Sequence, residues 1–215
     1  LLKHIFHFLY IMEEELCLAL DAYISPEEEI REKAVGFFTE LIQENQEFYK
    51  TLFDIFNNSD ILNRKKLCLI LIKCIIQNNF EAISQNLADF SQLLGSVIQT
   101  FEIQDFDLLT AEIIYQIASN YDDFWVDFPD YLFLFKENGN FLRFCIYILT
   151  NCYCNKQVYD KYSEVLAEIE QEMMYQGLQC DDVELQIRST SHITKQLAMS
   201  NDESVFAKYQ EHFEL

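Results

Sequence analysis

Four glycines and two prolines in 215 residues leave this chain few means of turning tightly. Hairpin turns and phosphate-cradling loops need backbone at positive φ or in close approach, which glycine supplies. Without it, the economical architecture is helices joined by short polar turns. Half of the residues are hydrophobic, enough for a sizeable core and against wholesale disorder. No stretch alternates cleanly enough for a sheet.

Two phrases far apart share one grammar. "SPEEEIREKAVGFFTEL" (25–41) and "DVELQIRSTSHITKQLA" (182–198) each open on a capping residue and an acid, pass through Ile-Arg, and continue at helical spacing. In the first, Ser25 reads as a cap, Pro26 as the first helical residue and Glu28 as the closing acid of a capping box. Ile30, Ala34, Phe37, Phe38 and Leu41 then fall on one face, with Glu29, Glu32, Lys33 and Glu40 opposite. In the second, Asp181 and Glu184 read as the cap, with Ile187, Ser191 and Thr194 in the same phase. "DILNRKKLCLILIKCII" from Asp60 and "ENGNFLRFCIYILTNCYC" from Glu137 repeat the pattern, so Arg31, Arg64, Arg143 and Arg188 each stand early in a helix. A similarly capped helix, 105–121, lies between Arg64 and Arg143 without an arginine.

These intervals match helical-repeat periods of about 33 to 47 residues. Partner helices are expected near 12–24, 46–57, 82–101, 126–136, 156–176 and 203–215. The result is five helical hairpins and the leading half of a sixth. A single hairpin cannot bury both faces, so neighbours must stack. The expected fold is all-α, an α-solenoid of HEAT-type antiparallel helix pairs, with an irregular helical bundle as its rival. The repeats are expected to occupy 12–215. Residues 1–11, "LLKHIFHFLYI", form an apolar prefix before Met12; upstream sequence, a cloning remnant and part of a first helix all stay open.

The net charge of −21 opposes nucleic acid and anionic membrane surfaces and favours a basic partner, or simple solubility. No apolar run reaches the ~18 residues of a spanning helix, so no membrane insertion is expected. Seven cysteines, mostly inside apolar runs, suit reduced thiols in a cytosolic or nuclear protein. "NCYCNK" lacks the four ligands of a structural zinc site, and His4 and His7 have no carboxylate close by, so neither metal nor cofactor is expected. No Gly-rich nucleotide loop or nucleophile elbow is present, and the carboxylates are spread over polar helix faces, so no catalytic residue is assigned. The acidic, aromatic "SNYDDFWVDFPDY" reads as a hairpin turn with Trp125, Phe128 and Tyr131 packing inward.

The stretch 16–76, "LCLALDAYISPEEEIREKAVGFFTELIQENQEFYKTLFDIFNNSDILNRKKLCLILIKCII", resembles the N-terminal region of the importin-β (karyopherin-β) superfamily. The resemblance rests on Ile24-Ser25-Pro26, Ile30-Arg31 and Ala34, then on Arg64, Leu67, Ile72-Lys73 and Ile76. Leu67 stands where that family usually has alanine. "AEIIYQIASNYDDFWVDFPDYLFLF", with its Phe128-Pro129 pair, looks like the passage from third to fourth repeat. "LAEIEQEMMYQGLQCDDVELQIRSTSHITKQLA" is similar to the fifth repeat of the importin-five type, which carries ribosomal proteins and histones.

The resemblance implies a nuclear transport receptor that shuttles between cytoplasm and nucleus, here as an N-terminal fragment of a longer chain. Its first repeats would bind Ran-GTP through the second helices of the hairpins. Basic protein cargo would sit further along and Phe-Gly nucleoporins on the outer face, with Ran-GTP opposing cargo. Glu32, Lys33, Glu40, Lys65, Lys66 and Lys73 are the Ran-binding candidates, against a solvated helix face as the plain alternative. Arg31, Arg64, Arg143 and Arg188 are expected to bridge adjacent repeats. A HEAT scaffold that organises a multiprotein complex independently of Ran is the competing function.

Overall fold

The computed structural model describes residues 14–44, 48–84, 106–120 and 141–199, with Gly95, Phe128 and Asp130 besides. Every regular element among them is a helix. The chain divides into two compact units, Leu1–Ile98 and Gln99–Leu215.

The first unit contains α1 (14–23), α2 (Glu28–Glu44), α3 (Phe48–Asn58) and α4 (Leu62–Ser84). In α3, Phe48, Tyr49, Leu52, Phe53, Ile55 and Phe56 are buried, the wide apolar stripe of a helix that faces a core. It packs on α4, whose Leu67, Cys68, Leu69, Leu71, Ile72, Ile75 and Ile76 are buried in turn. Phe38 ties the start of the unit together: its ring meets Tyr23 of α1 edge-on and stacks on Phe48 of α3. Helical dihedrals break within α4 at Asn79 (φ −151°, ψ 50°), which no sequence signal announces.

The second unit contains α5 (Asp107–Asn120), α6 (Phe141–Cys154), α7 (Lys156–Gln179) and α8 (Val183–Met199). Phe144 to Leu149 and Cys152 are all buried in α6, which is apolar nearly all round because it packs on α5, α7 and α8 at once. Phe128 is fully buried against Tyr162, as expected of an inward-packing aromatic. Trp125 and Tyr131 lie outside the described residues. Gly177 marks where α6, α7 and α8 converge, since a Cβ there would stand 2.2 Å from Ser189 Oγ and 2.5 Å from Ile146 Cδ1.

Helix starts depart from expectation in detail. The Ser25 hydroxyl accepts from the Glu27 amide, making a turn before the helix rather than a capping box, and α2 begins at Glu28. Ser59 does the same for Ile61, ahead of α4, in place of an Asp60 cap. The cap of α8 is Asp182, not Asp181: its Oδ1 accepts from the amides of Glu184 and Leu185. Asn155 caps α7 through the amides of Gln157 and Val158, and donates its own side-chain amide to Tyr115 of α5. Asp105 and the 137–140 turn lie outside the described residues, as do most of the helices expected at 82–101 and 126–136 and all of 203–215.

The described elements are all α-helices, and within each unit neighbouring helices pack on one another, as in an α-solenoid. The buried face of α8 is Leu185, Ser189, His192, Ile193 and Gln196. Ile187, Ser191 and Thr194 are exposed, so the second phrase does not keep the phase of the first. Leu185 and Ile193 are eight apart, two turns of the same face, and Ile187 lies well round the helix from them. No helix among the described residues is long and apolar enough to cross a membrane.

Candidate partner-binding surface

Glu29, Glu32, Lys33 and Glu40 are exposed on α2, opposite buried Ala34 and Phe38. Lys33 pairs with Glu29 one turn earlier, at 2.7 Å, with the two side chains 74% and 80% exposed. Such a pair contributes roughly 0.3–0.5 kcal/mol at most and leaves the lysine accessible. Arg31 turns back on the chain before its own helix, donating to the carbonyls of Ser25 and Pro26 at 2.7 and 2.8 Å. It is a local clamp, not the bridge to an adjacent repeat that its spacing suggested. An open cleft of about 410 Å³ lies beside it, lined by Tyr23, Glu28, Arg31, Glu32 and Val35.

On α4, Lys66 is exposed and Lys73 half-buried. Lys65 is half-buried, with its ammonium 5.4 Å from the centre of the Phe56 ring, a cation–π position that holds its stem against α3. Lys66 and Lys73 are two turns apart and share a face. Arg64 crosses to α1, where Nε and Nη2 meet the two carboxylate oxygens of Asp21 at 2.7 and 2.5 Å. That bond holds the Asp21 carboxyl below the usual range, outweighing its partial burial.

In the second unit Arg143 joins helix starts, while Arg188 pairs with Glu184 of its own helix and lies over Tyr147 of α6. Arg143 of α6 places Nε 2.7 Å from Asp107, the nearly buried first residue of α5, and Nη1 3.4 Å from Asp182, the cap of α8. Glu184 follows at 3.9 Å and also accepts from Arg188 one turn later. Tyr147 lies between the two guanidiniums, with Arg188 3.9 Å and Arg143 5.7 Å from its ring centre, and donates its hydroxyl to Glu184. This hydrogen bond, with the arginines, draws the Glu184 carboxyl below its ordinary value; burial raises the Tyr147 phenol. Asp107, Asp182 and Glu184 also sit at helix N-termini, where the macrodipole favours negative charge. The arrangement sets the register of α5, α6 and α8 and holds no nucleophile with an adjacent base.

No family model matches the chain, and neither does any curated protein or solved structure.

The partners of the arginines were not legible beforehand. Asp21 and Asp107 lie far from Arg64 and Arg143 in the chain; Asp107 carried one signal, an acid at a helix start. Nor did any pattern single out the buried pair His192–Glu170, 2.7 Å apart between α8 and α7, with the Tyr153 ring edge-on to the imidazole. No group of three or more His, Cys, Asp or Glu is placed to hold a metal ion among the described residues.

Proposed function

We propose that this chain is the N-terminal repeat region of an importin-β-type nuclear transport receptor, with α2 and α4 forming the surface that meets Ran-GTP. The observation that carries the reading is the exposed charged face of α2. Glu32, Lys33 and Glu40 stand there on the helix that bears the Ser-Pro…Ile-Arg phrase, beside the Glu32-lined cleft. Lys66 adds an exposed cation on α4, and Lys73 a half-buried one. The net charge of −21 suits basic protein cargo further along the receptor and disfavours nucleic acid. Helix pairs that each contact mainly their neighbours accumulate small rotations, so Ran-GTP on the first repeats would oppose cargo held later. Phe-Gly nucleoporins would take the outer face, as the superfamily resemblance implies.

The test is binding to Ran loaded with a non-hydrolysable GTP analogue, with Ran-GDP as control. Selective binding to the GTP form is expected, weakened about tenfold or more by E32K combined with K66E. Equal binding to both forms, or none, overturns the receptor reading and leaves a helical scaffold with other partners. Selective binding untouched by the charge reversals keeps the function and removes these residues from the interface.

A further inference from the structure

The second unit carries a groove of about 220 Å³ between the C-terminal half of α6 and the outward side of α8. Its walls include Thr150, Asn151 and Cys154 from α6 and Ile187, Arg188 and Lys195 from α8. In a chain with a net charge of −21, this groove is lined by two cations and, among the described residues, no carboxylate. Arg188 is already held by Glu184 and Tyr147, but Lys195 reaches only the Cys154 sulfur, at 3.6 Å, and has no carboxylate within ion-pair distance among the described residues.

The apolar side of the groove is equally specific. Ile187 is 63% exposed, although it belongs to a helix with a full turn of core contacts on its other face. Ile187, Ser191 and Lys195 recur every four residues, so they line a strip that winds about 40° round α8 at each step. Met199, 78% exposed, continues it, and the Tyr153 hydroxyl lies 3.7 Å from its sulfur. The strip therefore runs apolar, small, cationic, apolar, the order that one face of an amphipathic helix or extended segment could cover.

Size decides what kind of occupant fits. Small-molecule sites span about 300–1,000 Å³, and this groove is smaller, at about 220 Å³, and only partly enclosed. It accommodates one large side chain, not a whole cofactor. We propose that the groove between α6 and α8 is a docking site for an acidic amphipathic peptide segment of a partner protein, with one large apolar residue seated against Ile187 and a carboxylate on Lys195. The Thr150 hydroxyl is turned onto the Ile146 carbonyl, so the α6 wall leaves the charge contact to α8. The proposal rests on the second unit alone and stands apart from Ran recognition by α2 and α4.

Cys154 makes the site readable. It is the one exposed cysteine of the seven, and it lies in the groove wall. The probe is a fluorescein-labelled helical peptide with glutamates on one face and leucines on the other, and the control is the same peptide with lysine in place of glutamate. The glutamate peptide is expected to bind the wild-type chain, to weaken with added salt, and to slow maleimide modification of Cys154 while leaving Cys74 and Cys180 unchanged. K195E, which alters an exposed residue and is checked for an unchanged circular dichroism spectrum and melting temperature, is expected to weaken binding about tenfold. I187S is the second variant, expected to weaken binding by a similar factor without changing its salt dependence. Equal binding of the lysine peptide, an unprotected Cys154, or wild-type affinity in both variants overturns the proposal. So does self-association of the chain lost in K195E, with no uptake of peptide, which would assign the groove to a second copy.

Discussion

Arg64 of α4 and Asp21 of α1 meet fork to fork, two nitrogens on two oxygens, across 43 residues of chain. Paired bonds of this geometry fix orientation as well as adding energy. They tie the first helix to the fourth, across the intervening helices α2 and α3.

The first prediction concerns that pair and pH. The Asp21 carboxyl is lowered in the folded state, chiefly by its bond to Arg64. Its contribution is therefore present above the unfolded-state value and lost as pH falls through the folded one. Asp21 is 43% exposed, so solvent screening holds the coupling to about 1 kcal/mol. Urea melts of wild type, D21N, R64Q and the double variant, run at neutral pH and at the acid edge of the carboxylate range, are expected to show coupling at neutral pH that shrinks in acid. Coupling that survives full protonation of Asp21 would refute the assignment.

His192 and Glu170 call for a different expectation because both side chains are at most 3% exposed. Removing either partner costs the other a buried hydrogen bond, a change of about 1–3 kcal/mol. H192A and E170A are each expected to destabilise by thermal or urea melting. The double variant is expected to cost clearly less than the two singles added together. Strict additivity would show that the two residues do not act as a pair.

Gly177 makes a steric prediction. A Cβ there would collide with Ser189 Oγ and Ile146 Cδ1, so G177A is expected to destabilise by about 1–3 kcal/mol through overpacking. G36A, with nothing within 4 Å of the new Cβ, is expected to be neutral or to stabilise by up to about 1 kcal/mol through helix propensity. Ser189 Oγ is buried without a hydrogen-bond partner among the described residues, so S189A is expected to cost little and to relieve part of the G177A defect. Melting temperatures of the four variants check the set.

The cysteines should separate by environment. Burial pushes the Cys68 thiol up to about 12 and raises those of Cys145 and Cys152 as well, so few thiolates form there near neutral pH. Timed alkylation followed by peptide mass spectrometry is expected to modify Cys154 first and these three only on unfolding. Early modification of Cys68 would contradict its burial in the core of the first unit.

The helices were legible because their signals are local. Apolar spacing along 28–44 and 107–120 needs only the order of residues, and the scarcity of glycine and proline left few alternatives. Helix starts were less legible. Ser25, Asp60 and Asp181 each have the chemistry of a cap, yet Ser25 and Ser59 hold turns just ahead of their helices and Asp182 takes the cap next to Asp181, so the exact turn decides. The phase of α8 was misread for a related reason: Ile187 matches the apolar residue of the first phrase, but contact with α6 and α7 selected Leu185 and Ile193 instead. On the candidate surface, the chain marked Glu32, Lys33, Glu40 and Lys66 as polar-face residues, and they are exposed. It gave no warning that Lys65 would lie over Phe56.

By itself, then, the order of residues determined an all-α chain, where its described helices run, and which arginines recur at their starts. Only the tertiary structure decided what those arginines hold: Arg31 its own loop, Arg64 the distant Asp21, Arg143 two neighbouring helix starts, Arg188 the face of Tyr147. The division has a physical cause. Helix formation depends on contacts three or four residues apart, which a linear pattern encodes directly. A side-chain partner depends on the packing and rotation of whole helices, which are fixed only when all their buried faces are satisfied together.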